Sequence, residues 1–319
     1  MELVAYFEEF LKNTVNLNQD RINKLDEKIE TIDKFFKDND DAKKYYKKLT
    51  PQGSYAQKTI IKPAKKDGGF DADLLMLVDE NKEWEAKDYV DNVYKLFKDN
   101  KNYSEITHKR TRCVELDYKG DFHVDVVPFI ERESEEYIAN SKDNELERTN
   151  PTDYTKWLVN QQAESFNTLI LVIRLFKYLR DVKQNFSAKS ILLNTLIGNC
   201  VSEDEKKEDF KNVPTALLTI FERLSDFLQE NEKMPIVVNP KLEEEDFNRH
   251  WDEEKYKNFK EKITSYKTKI KEAYEETDKG ESIKKWQDVF GDKFPGKSTG
   301  DDKTKAFGAM GAKSKPWSC

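Results

Sequence analysis

The chain has 319 residues, 37% of them apolar, which is enough to bury a substantial core and excludes a peptide or a disordered tail. Asp and Glu number 62 against 55 Lys and Arg, a net charge of -7 with both signs interspersed, which excludes a global nucleic-acid-binding field but leaves room for a local basic cleft. The longest apolar runs, residues 74–78 and 169–173, are five residues each, far below the roughly 20 that a membrane-spanning helix needs.

The opening MELVAYFEEFLKN lacks the basic, apolar and small-residue regions of a secretory leader, so a cytoplasmic protein with no membrane partner is expected. Over residues 3–36, Phe7, Phe10, Leu11, Ile22, Leu25, Ile29, Ile32 and Phe36 recur at mostly helical spacing, predicting a long amphipathic helix or helix pair. After the polar residues 37–41, a further helical stretch is expected through Leu49, closed by Thr50 and Pro51. Its lysines, Lys43, Lys44, Lys47 and Lys48, read as a solvated face.

The texture then turns to β-like runs at 70–78, 114–118 and 122–130, with a helical stretch rich in lysine and aromatics at 87–97. A polar segment, 131–153, separates them from 154–181, where Trp157, Phe166, Leu169, Ile170, Ile173, Phe176 and Leu179 keep a helical period. Helical patterning continues through 191–197, 216–228 and 247–274. The expected fold is α+β and bilobed. An α/β lobe with a mixed sheet and a long amino-terminal helix spans 1–150, a helical lobe spans 151–294, and an aperiodic tail spans 295–319. The cleft between the lobes is the expected ligand site.

Cys113, Cys200 and Cys319 lie far apart without Cys-x-x-Cys spacing, which argues against a disulfide framework or a zinc site. His108, His123 and His250 are scattered singly, so Ser-His-Asp catalysis has little to work with. Chemistry falls to carboxylates. In FDADLLMLV, strand alternation puts Asp71, Asp73, Leu75 and Leu77 on one face. Two neighbouring carboxylates repel unless protonated or bridged by a cation, and an all-oxygen donor set favours magnesium or manganese over zinc. FHVDVVP places Asp125 where a strand otherwise invites an apolar residue, an expensive choice without a partner. Should that strand pair beside the first, the carboxylates form a trio able to hold two ions. Upstream, in QGSYAQKT, Gly53 lets backbone approach a phosphate and Ser54 supplies an N–H and a hydroxyl. Sixteen residues separate Ser54 from Asp71.

In that order, Gly53-Ser54, Asp71-Ala72-Asp73 and Asp125 resemble the pattern of the polymerase-beta-like nucleotidyltransferase superfamily. GSYAQKT, DADLL and HVDVVPFI together look like the branch containing oligoadenylate synthetase, cyclic GMP-AMP synthase and the bacterial second-messenger synthases of antiphage signalling, over about residues 45–255. The resemblance implies catalysis by Asp71, Asp73 and Asp125 on two magnesium ions, for which manganese can substitute, and nucleotide binding by Gly53, Ser54, Lys177 and Ser190. In RLFKYLRD, Arg174 and Lys177 share a helical face, and the family carries a phosphate-contacting lysine at the position of Lys177. In FSAKSILL, Ser190 matches a phosphate-contacting serine, but Ile191 stands where cyclic GMP-AMP synthase has a base-stacking tyrosine. Lys65 and Lys66 are placed to steer nucleotides inward. Asn239, Pro240 and Trp251 read as structural.

The activity so implied makes a cyclic di- or trinucleotide from ATP or other nucleoside triphosphates, in antiphage signalling, with no nucleic acid required. Its product would act on a separate effector. Some members of the branch are joined through their carboxyl terminus to a target, and the tail ending at Cys319 is long enough to reach one. Two readings stay open beside it: another template-independent nucleotidyltransferase acting on RNA or protein, and a non-catalytic nucleotide-binding regulator.

Overall fold

Residues 1–64 and 69–297 are described, from a computed structural model. The chain opens with helix α1, Val4–Phe10, which runs on into a wider π turn at Leu11–Val15. Helix α2, Gln19–Asp38, starts where the Asn18 side chain accepts the Arg21 N–H, and it buries Leu25, Ile32 and Phe36. Strand β1, Tyr46–Gln52, follows, then the single-turn helix α3, Gly53–Ala56, and strand β2, Phe70–Val78. Helix α4, Ala86–Lys98, leads to β3, Thr107–Lys109, β4, Val114–Tyr118, and β5, Phe122–Arg132. Strands β6, Glu135–Asn140, and β7, Glu145–Thr149, close the first half.

Among the described residues these strands form one seven-stranded sheet in the order β1-β2-β5-β4-β3, with β6 and β7 added beyond the far end of β5. It is mixed: β2 and β5 run parallel and the other pairs antiparallel. One face is packed by α2 and α4, through Ile32, Phe36, Val90, Val93 and Phe97, against Ala72, Leu74, Val124 and Val126.

Helices α5, Pro151–Glu164, α6, Leu169–Lys183, α7, Ser190–Gly198, α8, Val213–Glu230, α9, Glu253–Glu275, and α10, Lys279–Phe290, make the second half. A two-stranded ribbon, β8 at Val238–Asn239 and β9 at Leu242–Asp246, interrupts them. Phe176 stacks on Phe221 with ring centroids 4.1 Å apart at the centre of this helical core. Asn239 is buried and donates to Glu245 at 2.6 Å, and the buried Trp251 donates to the Ser187 carbonyl at 3.2 Å, fitting a structural reading of both.

The expected α+β, bilobed architecture is present, with four local differences. Residues 46–52 form a strand, not the end of a helix. Leu49 pairs with Met76 in the β2 ladder, and Pro51 is tolerated because β1 is an edge strand with an unpaired side. The polar segment 131–153 contains the β6–β7 hairpin, whose charged side chains, such as Arg148 paired with Glu135, mask its alternation. Residues 154–181 form two helices, because Phe166 and Asn167 take left-handed φ of 49° and 66° at the break. The amino-terminal segment packs with the helical half: Phe7 meets Trp286 and Phe294, and Phe10 meets Tyr178.

The lysines of residues 43–47 are exposed and matched by acids, Lys43 with Asp40, Lys44 with Asp41 and Lys47 with Asp79, as a solvated face requires. Among the described residues no helix is long and apolar enough to cross a membrane.

Gly198 ends α7 against the indole of Trp157, and a Cβ there would overlap that ring. Gly198→Ala is expected to destabilise the fold by about 1–3 kcal/mol through overpacking. Thermal denaturation checks this, and Trp157→Leu in the same chain should recover part of the loss.

Candidate active site

Strand β2 carries Asp71 and Asp73 on the sheet face opposite α2 and α4, because the alternate residues Ala72 and Leu74 enter the core on the other side. Parallel pairing sets Asp73 directly beside Asp125, and Asp71 beside His123. Asp125, expected to join the other two only through such pairing, is therefore brought to them by sheet register.

The electrostatics of the trio are strained. Burial first, then the charges of Asp125 and Asp71, push the Asp73 carboxyl up to about 7, with Lys177 opposing. Asp125 is also raised, chiefly by burial and then by Glu115 and Asp71, while a hydrogen bond from the Cys113 thiol pulls the other way. Asp125 Oδ1 is buried with no hydrogen-bond partner. Crowded carboxylates with an orphaned oxygen suit a divalent cation by charge and by donor type. As placed, however, no three His, Cys, Asp or Glu side chains among the described residues stand close enough together to hold an ion. Asp73 Oδ2 lies over the Gly53 turn.

That turn explains Gly53. Its φ is +61°, and a Cβ would overlap Asp73 Oδ2. The turn is closed by Gln57 N–H to Gly53 O at 3.0 Å and Thr59 N–H to Ser54 O at 2.8 Å. Ser54 therefore sits in the first turn of α3, beside the carboxylates.

The helical half supplies the facing wall. An open cleft of about 690 Å³ is lined by Asp71 and Pro63 on one side and by Arg180, Gln184, Lys189 and Ser190 on the other. Ser190, the first residue of α7, lies on this wall with Arg180 Nη1 3.4 Å from its hydroxyl. Lys177 is buried behind it, donating to Thr59 O at 3.1 Å and to Thr59 Oγ1 at 2.9 Å. Burial lowers its ammonium to about 7, and Arg180 and Arg174 add to the effect.

Arg174, read beside Lys177 as a phosphate contact, is spent elsewhere: its guanidinium donates to Lys58 O at 2.8 Å and Asn16 Oδ1 at 2.9 Å. Arg180 lines the cleft instead. Its signal lay in the same RLFKYLRD run, one turn after Lys177, but helical spacing does not say which cation faces the cleft. Lys65, Lys66 and Cys319 lie outside the described residues.

Asp73 makes the stability of the protein pH-dependent. Its folded pKa is raised, so between about 4 and 7 the folded state holds the proton that the unfolded state has lost, and stability falls as pH rises through that window. Urea denaturation in chelator at about pH 5 and about pH 8 should show that fall, and Asp73→Asn should lessen it. Lys177 acts in a separate, higher window, because its pKa is lowered: stability rises with pH from about 7 towards the ordinary lysine value.

Residues 1–162 match the Second Messenger Oligonucleotide or Dinucleotide Synthetase domain. The chain belongs to this family. Among curated relatives, the chain resembles the c-di-GMP synthase of Roseivirga ehrenbergii, at 29% identity over 158 residues, 47% of this chain and 41% of that protein. The chain thus spans less than half the length of that relative. Among solved structures it resembles CdnC of E. coli MS115-1 with ATP, at TM-score 0.75 and 17% identity over 92% of this chain and all of that one. It also resembles the Vibrio cholerae cyclic AMP-GMP synthase DncV with nonhydrolyzable GTP, at TM-score 0.70 and 15% identity over 91% and 96% of the two chains. A further likeness, at TM-score 0.72 and 17% identity, is CdnC in complex with HORMA-deltaN, covering 92% of this chain and 98% of that one. At these identities the likeness is one of fold.

Proposed function

We propose that this synthetase is a nucleotidyltransferase that joins ribonucleoside triphosphates into a cyclic di- or trinucleotide second messenger, in the cytoplasm and in bacterial antiphage signalling. The observation that carries the reading is the register of Asp73 against Asp125, with Asp71 facing Ser190 and Arg180 across the cleft. Asp71, Asp73 and Asp125 are the catalytic and metal-holding residues in this reading, and Gly53, Ser54 and Ser190 hold the nucleotide, with Lys177 supporting them from behind through Thr59. The catalytic lobe runs to about residue 150 and the helical lobe follows it.

The reaction forms a bond between a ribose hydroxyl oxygen and the α-phosphorus of a triphosphate and breaks the bond to the pyrophosphate leaving group. Magnesium, or manganese in its place, would neutralise the triphosphate and the charge that develops in transfer. The turn at Gly53 and Ser54 and the cleft wall at Ser190 hold the phosphates between the lobes, converting an encounter into a positioned reaction. Asp125, whose carboxyl is already raised, is the group placed to accept the proton of the attacking hydroxyl. Repeating the transfer on the linear product within one cleft closes the ring. The product then acts on a separate effector.

The test incubates the protein with labelled ribonucleoside triphosphates and magnesium or manganese, then phosphatase. A phosphatase-resistant small nucleotide, absent with Asp71→Ala/Asp73→Ala, is expected. Label appearing only in RNA or protein would identify another nucleotidyltransferase, and tight binding without turnover would identify a regulator.

A further inference from the structure

The two hydroxyls assigned to phosphate binding, Ser54 and Ser190, sit on different lobes, and one buried side-chain pair joins the elements that carry them. Gln57 caps the α3 turn that holds Ser54, and Asn194 lies one helical turn after Ser190 on the same face of α7. Asn194 Nδ2 donates to Gln57 Oε1 at 2.9 Å across 137 residues of sequence, and both side chains are buried, at 2% and 4% exposure. Lys177 continues the contact by donating to Thr59, whose own N–H closes the same turn on Ser54 O.

Stability alone does not explain an amide here. Asn194 Oδ1 is buried without a partner, an expense that a leucine of the same branching would avoid. Retaining a polar group at such a place suits a role in geometry: a hydrogen bond sets distance and direction, whereas apolar packing tolerates sliding.

Resting on the nucleotidyltransferase reading, we propose that Gln57 and Asn194 are positioning residues that hold the Ser54 turn at a fixed distance from Ser190, so that the two lobes grip one triphosphate. They touch no reacting atom. Their loss loosens the grip on the phosphates and leaves the carboxylates in place.

The test compares full-length wild type with Gln57→Leu, Asn194→Leu and the double variant, below their melting temperatures. Each single variant is expected to raise the KM for the triphosphate about tenfold while kcat stays within about threefold. The double variant is expected to be no worse than the weaker single, since either change removes the same bond. Affinity for a nonhydrolysable triphosphate should fall while affinity for the matching nucleoside monophosphate holds, a split that general loosening of the fold would not produce. The exchanged pair, Gln57→Asn with Asn194→Gln, should recover the KM. If the leucine variants do not fold, Asn194→Ala serves: it removes the amide without adding bulk and leaves nothing to bond Gln57, and an unchanged KM overturns the proposal. Additive losses in the double variant overturn it as well. A wild type that binds no triphosphate sinks the functional reading and this one with it, whereas a wild type that binds beside unchanged variants sinks this one alone.

Discussion

Asp73→Asn is expected to lower turnover by at least about a thousandfold while making the metal-free protein more stable at neutral pH. The two effects have one cause. Asp73 stands beside Asp125 in the ladder and two residues from Asp71, and burial with those charges raises its carboxyl to about 7. Above that pH the folded protein carries a charge it would rather not hold. Asparagine keeps the shape and removes the charge, so the repulsion disappears along with the cation and triphosphate binding that the proposed function assigns to this carboxylate. The stabilisation should be on the order of 1–2 kcal/mol at about pH 8 in chelator, less than the full shift implies because the residue is only half-buried. Single-turnover rates and urea denaturation read the two halves. A loss of turnover accompanied by destabilisation would contradict the assignment of strain to this carboxylate.

Gly53→Ala is expected to reduce kcat/KM at least about a hundredfold and to destabilise the fold by about 1–3 kcal/mol. Left-handed backbone at φ +61° is itself unfavourable for alanine, and the added Cβ would overlap Asp73 Oδ2. Either the turn moves, taking Ser54 with it, or Asp73 swings away. Both displace a group that must sit within a fraction of an ångström of its working position. Asp73→Ala in the same chain removes the obstruction, so the stability of the double variant should exceed the sum of the single effects, leaving only the backbone penalty. Additive stability changes would mean that the turn and the carboxylate are not in contact.

Much of this site was legible along the chain because strand chemistry is local. The spacing of Asp71 and Asp73 assigns them to one face whatever lies beside the strand, and the observed burial follows that alternation. Helix α4 was legible from its run of lysines and aromatics, and α6 from the helical period read over residues 154–181. Residues 46–52 did not read as a strand, because their lysines project from an edge where nothing apolar is demanded, and only pairing with β2 gives them strand geometry. The β6–β7 hairpin was hidden for the same reason. Arg174 and Arg180 are indistinguishable by composition, and their opposite fates depend on where the chain after α3 passes α6.

The sequence by itself determined the local placement of the candidate residues, an acidic pair on one strand face, a third acid on another strand and a glycine ahead of them, because these follow from side-chain period and backbone sterics within a few residues. Only the tertiary structure decided that β5 lies parallel to β2 with Asp125 at the level of Asp73, and that α6 and α7 close over them to bury Lys177 and join Asn194 to Gln57. Register across a sheet and contact between lobes are settled by the packing of residues far apart in the chain, and no local pattern encodes that packing.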